Sequence, residues 1–144
     1  YNAPGNKKIG RDLEKVIKED AQSKRSRKKC MKIILGDFNS FRNNELDRKG
    51  KGKAVSAKNS ILNYLIQNGF QNIYRELNPG ISEFTWQKNA SALRIDYIWA
   101  DENAAEKAFQ CRILQMDTIT GSDHEMVLWS ICTDIVVEKE NKTE

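Results

Sequence analysis

No run of apolar side chains in this 144-residue sequence exceeds four residues. One of the longest, YIWA at 97–100, is bounded by Asp96 and Asp101. Such runs are far short of the roughly 20 apolar residues a membrane-spanning helix needs. They suit short buried strands of about four to eight residues that end in polar turns. Between them lie segments with helical periodicity. Residues 11–29 place Leu13, Val16 and Ile17 on one face and gather Lys and Arg in the final turns, where they complement the helix dipole. Residues 57–68 predict a second helix, with Ser56 as N-cap, Ile61, Leu62, Leu65 and Ile66 as its apolar face, and Gly69 as its stop.

The remaining chain reads the same way. A buried strand, MKIIL, breaks into a polar turn at 36–39, and the hydrophilic stretch 40–53 is a loop. Residues 83–87 and 94–100 predict two strands joined by a short polar loop, 104–109 a short helix, and 111–116 and part of 124–137 further strands. Alternating strands and helices, without repeats or a Pro-rich linker, predict an α/β fold over 1–137 and a frayed charged tail at 138–144.

Composition narrows the function. Three Trp, four Tyr and five Phe are too many aromatic residues for a disordered chain. Cys30, Cys111 and Cys132 are widely spaced, and with one histidine they cannot complete a Cys/His zinc site, so a reduced intracellular protein is expected. The net charge is only +4, but it is unevenly placed. Lys24, Arg25, Arg27, Lys28, Lys29 and Lys32 form one basic cluster, and Arg48, Lys49, Lys51 and Lys53 a second. These are compatible with a phosphate backbone or with nuclear import, or simply with a solvated helix end and loop. The start at Tyr1 rather than Met gives the expectation that the natural chain extends upstream.

Three segments share one design, in which an apolar strand delivers carboxylate or amide side chains at or near its end. Asp37 and Asn39 follow IIL-Gly36 and, two apart in extended chain, point to one side. Asp96 sits in the strand RIDYI. Asp123 and the sole histidine, His124, precede the last strand. Each segment alone is equally readable as turn chemistry or a local salt bridge, such as one between Asp96 and Arg94. Together, three carboxylates, an amide and an imidazole make sense for cleaving a phosphate ester. Carboxylates suit Mg²⁺ and the orientation of water, and an amide and imidazole can donate to phosphate oxygens.

In order and approximate spacing, GDFN at 36–39, FTW at 84–86, RIDYI at 94–98 and SDH at 122–124 resemble the endonuclease/exonuclease/phosphatase superfamily, the DNase I-like fold. The resemblance implies a four-layer α/β sandwich of which this chain is the C-terminal half, with a first half still to be supplied. It assigns Asp37 to the attacking water, Asn39 to the scissile phosphate, Asp96 to holding His124, His124 to the phosphate, and Asp123 to the metal, Mg²⁺ or Mn²⁺. The family's early Asn and its principal metal ligand, a Glu, have no counterpart here. At the start, YNAP resembles a Tyr-x-Pro turn with its tyrosine one place early, which makes Tyr1 a further candidate.

FTW, a short loop and RIDYIW are most similar to exonuclease III-like and LINE-type retrotransposon endonucleases. That implies a nucleic-acid partner, DNA ahead of RNA, and no membrane partner. Arg94 is open to either a phosphate contact or a structural role. Three functions follow for test: a retroelement-type DNA endonuclease, a catalytically inactive half-domain, and a phosphomonoesterase of the same superfamily. A half-fold is also expected to expose an apolar sheet face and to self-associate.

Overall fold

The computed structural model describes residues 7–22, 30–50, 60–116 and 121–133. Its elements are α1 (Lys7–Gln22), β1 (Ile33–Asp37), β2 (Arg48–Lys49), α2 (Ser60–Gln67), β3 (Gln71–Asn72), α3 (Ile73–Leu77), β4 (Trp86–Lys88), β5 (Ser91–Leu93), β6 (Asp96–Ala100), α4 (Glu102–Ala105), β7 (Ala108–Leu114) and β8 (Met126–Ile131). They build an α/β fold with three small antiparallel sheets, ordered β1-β6-β3, β2-β5-β4 and β7-β8. No described helix is long and apolar enough to cross a membrane.

The β1-β6-β3 sheet is the middle layer. Alternation along β6 sends Tyr97 and Trp99 to one face, where they pack with Leu62, Leu65 and Phe70 and with Ile17 of α1. Ile98 and Ala100 point the other way, into a second core with Ile73 and Tyr74 of α3, Cys111 of β7, and Val127 and Trp129 of β8. Helices α1 and α2 therefore cover one face, and the β7-β8 hairpin together with α3 and α4 covers the other. The hairpin does not reach β1, whose Ile33 and Leu35 remain 40% and 71% exposed beside the covered Ile98. Two apolar side chains on this edge strand are thus exposed.

Several boundaries moved for identifiable reasons. Helix α1 starts before Gly10, because one glycine costs a helix about 1 kcal/mol without stopping it. Its Val16 is 59% exposed, so Ile17 carries the packing. Residues 23–29 and 51–59, with the expected cap Ser56 and most of the basic clusters, lie outside the described residues. The stop after α2 is as expected: Gly69 takes φ 79°, and Gly69 and Phe70 donate back to Ile66 and Leu65 carbonyls. Helix α4 forms earlier than expected, because the Asp101 carboxylate caps it by accepting from Ala104 N–H.

The expected strand 94–100 starts two residues late, at Asp96, in the β1-β6-β3 sheet, and the expected loop before it contains β5 (Ser91–Leu93) of the β2-β5-β4 sheet. Arg94 lies at this crossing and is 1% exposed. Its Nε and Nη2 donate to Asp47 Oδ1 at 3.0 and 2.8 Å, and its guanidinium sits 5.2 and 4.7 Å from the ring centres of Tyr74 and Tyr97. Asp47 is equally buried and also binds Arg75 Nη2 at 2.7 Å. Arg94 is therefore structural, and its ion-pair partner is Asp47 rather than Asp96. Burial pushes the hydroxyls of both tyrosines well above their ordinary range, so they remain neutral.

Candidate active site

The site grows from the register of one strand pair. Asp37 at the end of β1 stands directly opposite Asp96 at the start of β6. Phe38 N–H donates to Ile95 O at 2.9 Å, and the antiparallel alternation then makes Asp37 and Asp96 a non-hydrogen-bonded pair, in which side chains stand closest. Like charges in that position destabilise a sheet. Their presence calls for a cation or a donor between them.

A donor is present. His124 Nδ1 lies 3.0 Å from Asp96 Oδ2, and ligand atoms of Asp37, Asp96 and His124 all fall within 4.8 Å of one another. Two half-buried carboxylates and an imidazole thus converge at the surface. Such a donor set fits a divalent cation that takes one or two carboxylates and keeps several waters.

Asn39 completes the turn after β1. Its backbone N–H donates to Asp37 Oδ1 at 2.7 Å and its Nδ2 to Asp37 Oδ2 at 3.0 Å, while the residue sits at φ 48°. Asn tolerates this left-handed conformation better than most residues because its short side chain bonds locally. Asp37 is thereby oriented by its own turn.

His124 is delivered by a different element. Residues 123–125 pair along 85–87: Gln87 N–H donates to Asp123 O at 3.3 Å, Glu125 N–H to Thr85 O at 2.7 Å, and Trp86 and His124 form a β-bridge. Asp123 stands apart from the three-residue cluster, and its Oδ2 accepts from Trp86 Nε1 at 2.9 Å. Ser122 Oγ accepts from His124 N–H at 3.0 Å.

The structure therefore brings together Asp37, Asn39, Asp96 and His124, and places Asp123 next to them in sequence but on the indole of Trp86. Tyr1 lies outside the described residues. A concavity of about 880 Å³ occurs elsewhere, lined by Asn43, Asp47, Phe70, Arg75 and Trp99 among others, and none of the cluster residues borders it. Two contributors were not foreseen. The indole N–H of Trp86 and the hydroxyl of Thr85 act through contacts distant in sequence, and their only signal was the FTW motif itself.

An α/β layer thus brings carboxylates, an amide and an imidazole together at strand ends. The sequence pattern of the Endonuclease/Exonuclease/phosphatase family matches residues 16–124, and the chain belongs to that family. Among curated protein sequences no significant match is found. Among solved structures the fold is similar to a 3′ phosphatase, NExo, from Neisseria bound to a product DNA hairpin, with a TM-score of 0.69 at 18% identity over 86% of this chain and 52% of that one. It is also similar to the AP endonuclease LMAP from Leishmania major (TM-score 0.68, 17% identity, 88% of this chain and 44% of that one). An AP endonuclease from Archaeoglobus fulgidus matches with a TM-score of 0.62 at 12% identity, over 88% of this chain and 56% of that one. The chain spans about half the length of these structures.

Proposed function

We propose that this chain carries the C-terminal part of the active site of a Mg²⁺-dependent phosphodiesterase acting on DNA. The observation that carries the reading is the facing pair Asp37 and Asp96 with His124 bound to the latter. Like charges opposed in a sheet cost stability, and a phosphate-cleaving site is a reason to keep them. The half-exposed cluster, at the surface rather than in a cavity, is open to a polymeric substrate.

Asp37, held by Asn39, orients and deprotonates the attacking water, and the Asn39 amide donates to a non-bridging oxygen. Asp96 accepts a hydrogen bond from His124 Nδ1–H and orients the ring, so that Nε2 faces the phosphate and donates to it when the ring carries both protons. Asp123 is the carboxylate assigned to the cation, with Trp86 orienting it and Asp37 contributing from the cluster. Mg²⁺, or Mn²⁺ in its place, would neutralise charge growing on the phosphate and its leaving oxygen. Tyr1 is assigned to the same site by its motif. The narrower assignment to retroelement endonucleases rests on FTW, the short 87–93 loop and RIDYIW.

Nicking of plasmid DNA by the full-length parent protein in Mg²⁺ tests the reading. Asp37→Ala and His124→Ala are each expected to lower the rate by about 100-fold or more. Undiminished nicking by either variant refutes it. A second reading, an inactive half-domain, is favoured by the span of about half the related structures. Mg²⁺ titration with the isolated chain separates the two. Parallel assays on abasic duplex, 3′-phosphorylated DNA and inositol phosphates test the phosphomonoesterase alternative.

A further inference from the structure

The chain crosses from one sheet to another between Leu93 and Asp96, and at such a crossing backbone groups lose their strand partners. Ile95 and Asp96 N–H groups fall at this point, and both donate to a single side-chain atom, Thr85 Oγ1, each at 3.0 Å. A hydroxyl oxygen offers two acceptor lone pairs, and Thr85 uses both on consecutive amides. Its backbone extends the same connection. Thr85 N–H donates to Leu93 O at 2.9 Å, and Thr85 O accepts from Glu125 N–H at 2.7 Å. The residue is 0% exposed.

One residue thus touches the amide of Asp96 on one side and the neighbour of His124 on the other. Asp96 and His124 are 28 positions apart in the chain and share a 3.0 Å contact. The geometry points to Thr85 as a positioning residue that sets the direction of Asp96 against the His124 loop and thereby holds the imidazole in its Nδ1–H tautomer. The inference rests on the proposed role of the Asp96–His124 pair. Thr85 touches no substrate and acts only through these two residues. Valine has the same shape without the acceptor oxygen, whereas serine keeps that oxygen and drops a methyl group.

The sole histidine makes the test direct, because its ring gives one unambiguous set of signals. Long-range ¹H–¹⁵N spectra of the chain, recorded where the imidazole is neutral, report the tautomer. The charged groups facing the ring are Asp96 and Asp37, with Asp123 adjacent in sequence, and no variant changes the identity of any of the three. The wild type and Thr85→Ser are expected to hold His124 as the Nδ1–H form. Thr85→Val is expected to shift it towards the Nε2–H form that free imidazole favours, while the signals of the buried indole N–H groups of Trp99 and Trp129 stay unchanged. A folded Thr85→Val that keeps the wild-type tautomer overturns the proposal. Should Thr85→Val fail to fold, Thr85→Ser decides: retention of the Nδ1–H form supports the proposal, and its loss in a folded protein refutes it. No substrate is involved, so an inactive chain leaves this result readable, and failure of the phosphodiesterase reading shows only in the nicking assay.

Discussion

Replacing Asp47 by alanine removes a buried carboxylate from its ion network with Arg75 and Arg94, and the cost can be worked from the contacts. Asp47 Oδ1 receives Arg75 Nη2 at 2.7 Å and Arg94 Nη2 and Nε at 2.8 and 3.0 Å, and Oδ2 receives the Asn43 N–H at 3.0 Å. Arg75 survives the loss, because its Nη1 also donates to the carbonyls of Asn78 and Ile81. Arg94 does not. Its side chain is 1% exposed and, among the described residues, retains only Asn72 Oδ1 at 3.4 Å and the faces of two tyrosine rings. An orphaned buried charge of this kind costs about 3–5 kcal/mol, a large part of a typical domain stability of about 5–15 kcal/mol. The π-faces offset some of it, so the lower half of that range is expected.

Urea unfolding followed by tryptophan fluorescence measures the loss. With a slope of about 2 kcal/mol per molar, the midpoint should fall by about 1.5–2 M. The decisive comparison is the double variant Asp47→Ala, Arg94→Met, which removes both buried charges and should be more stable than Asp47→Ala alone. A loss below about 1 kcal/mol for Asp47→Ala, or a double variant that loses the sum of its two single changes, refutes the reasoning.

Three further expectations follow from burial and exposure. Cys30 and Cys132 are exposed whereas Cys111 is buried, and burial pushes the Cys111 thiol up to about 11. A disulfide reagent near pH 8 should therefore modify two thiols quickly in the native protein and the third only after unfolding; rapid reaction of all three contradicts the packing. The unfolded chain releases that proton near 9.0 and the folded chain only near 11, so stability is held below the lower value and declines as pH rises between them, which denaturation at stepped pH checks. Leu35, 71% exposed on the edge strand, should tolerate Leu35→Lys with less than about 0.5 kcal/mol lost. Light scattering should then show less self-association than in wild type, and an unchanged mass distribution rejects this face as its cause.

Local patterns were legible in the sequence wherever one element explains itself. The apolar stripe of α2 with its Gly69 stop, the IIL strand before GDFN, and the hydrophobic centre of RIDYIWA each depend on neighbours within a few positions. Elements α3, β2, β3 and β5 were not legible, because they are two to five residues long and are set by pairing or capping with distant chain. Arg94 was ambiguous for the same reason. Its charge fits a phosphate contact, and only Asp47, 47 positions earlier, makes it structural.

The sequence by itself determined the kind of chemistry available: short apolar strands with Asp37, Asn39, Asp96 and His124 at or near their ends, in a chain matched by one family. Composition and spacing carry that information because residue types and strand ends are local properties. Tertiary structure decided the rest. Antiparallel register set Asp37 opposite Asp96, the crossing between sheets aimed Asp96 at His124, and pairing along 85–87 put Asp123 on the Trp86 indole. Each of these contacts joins residues at least 28 positions apart, except for turns such as Asp37–Asn39. Contacts of that reach form only when sheets pack, which no local pattern can specify.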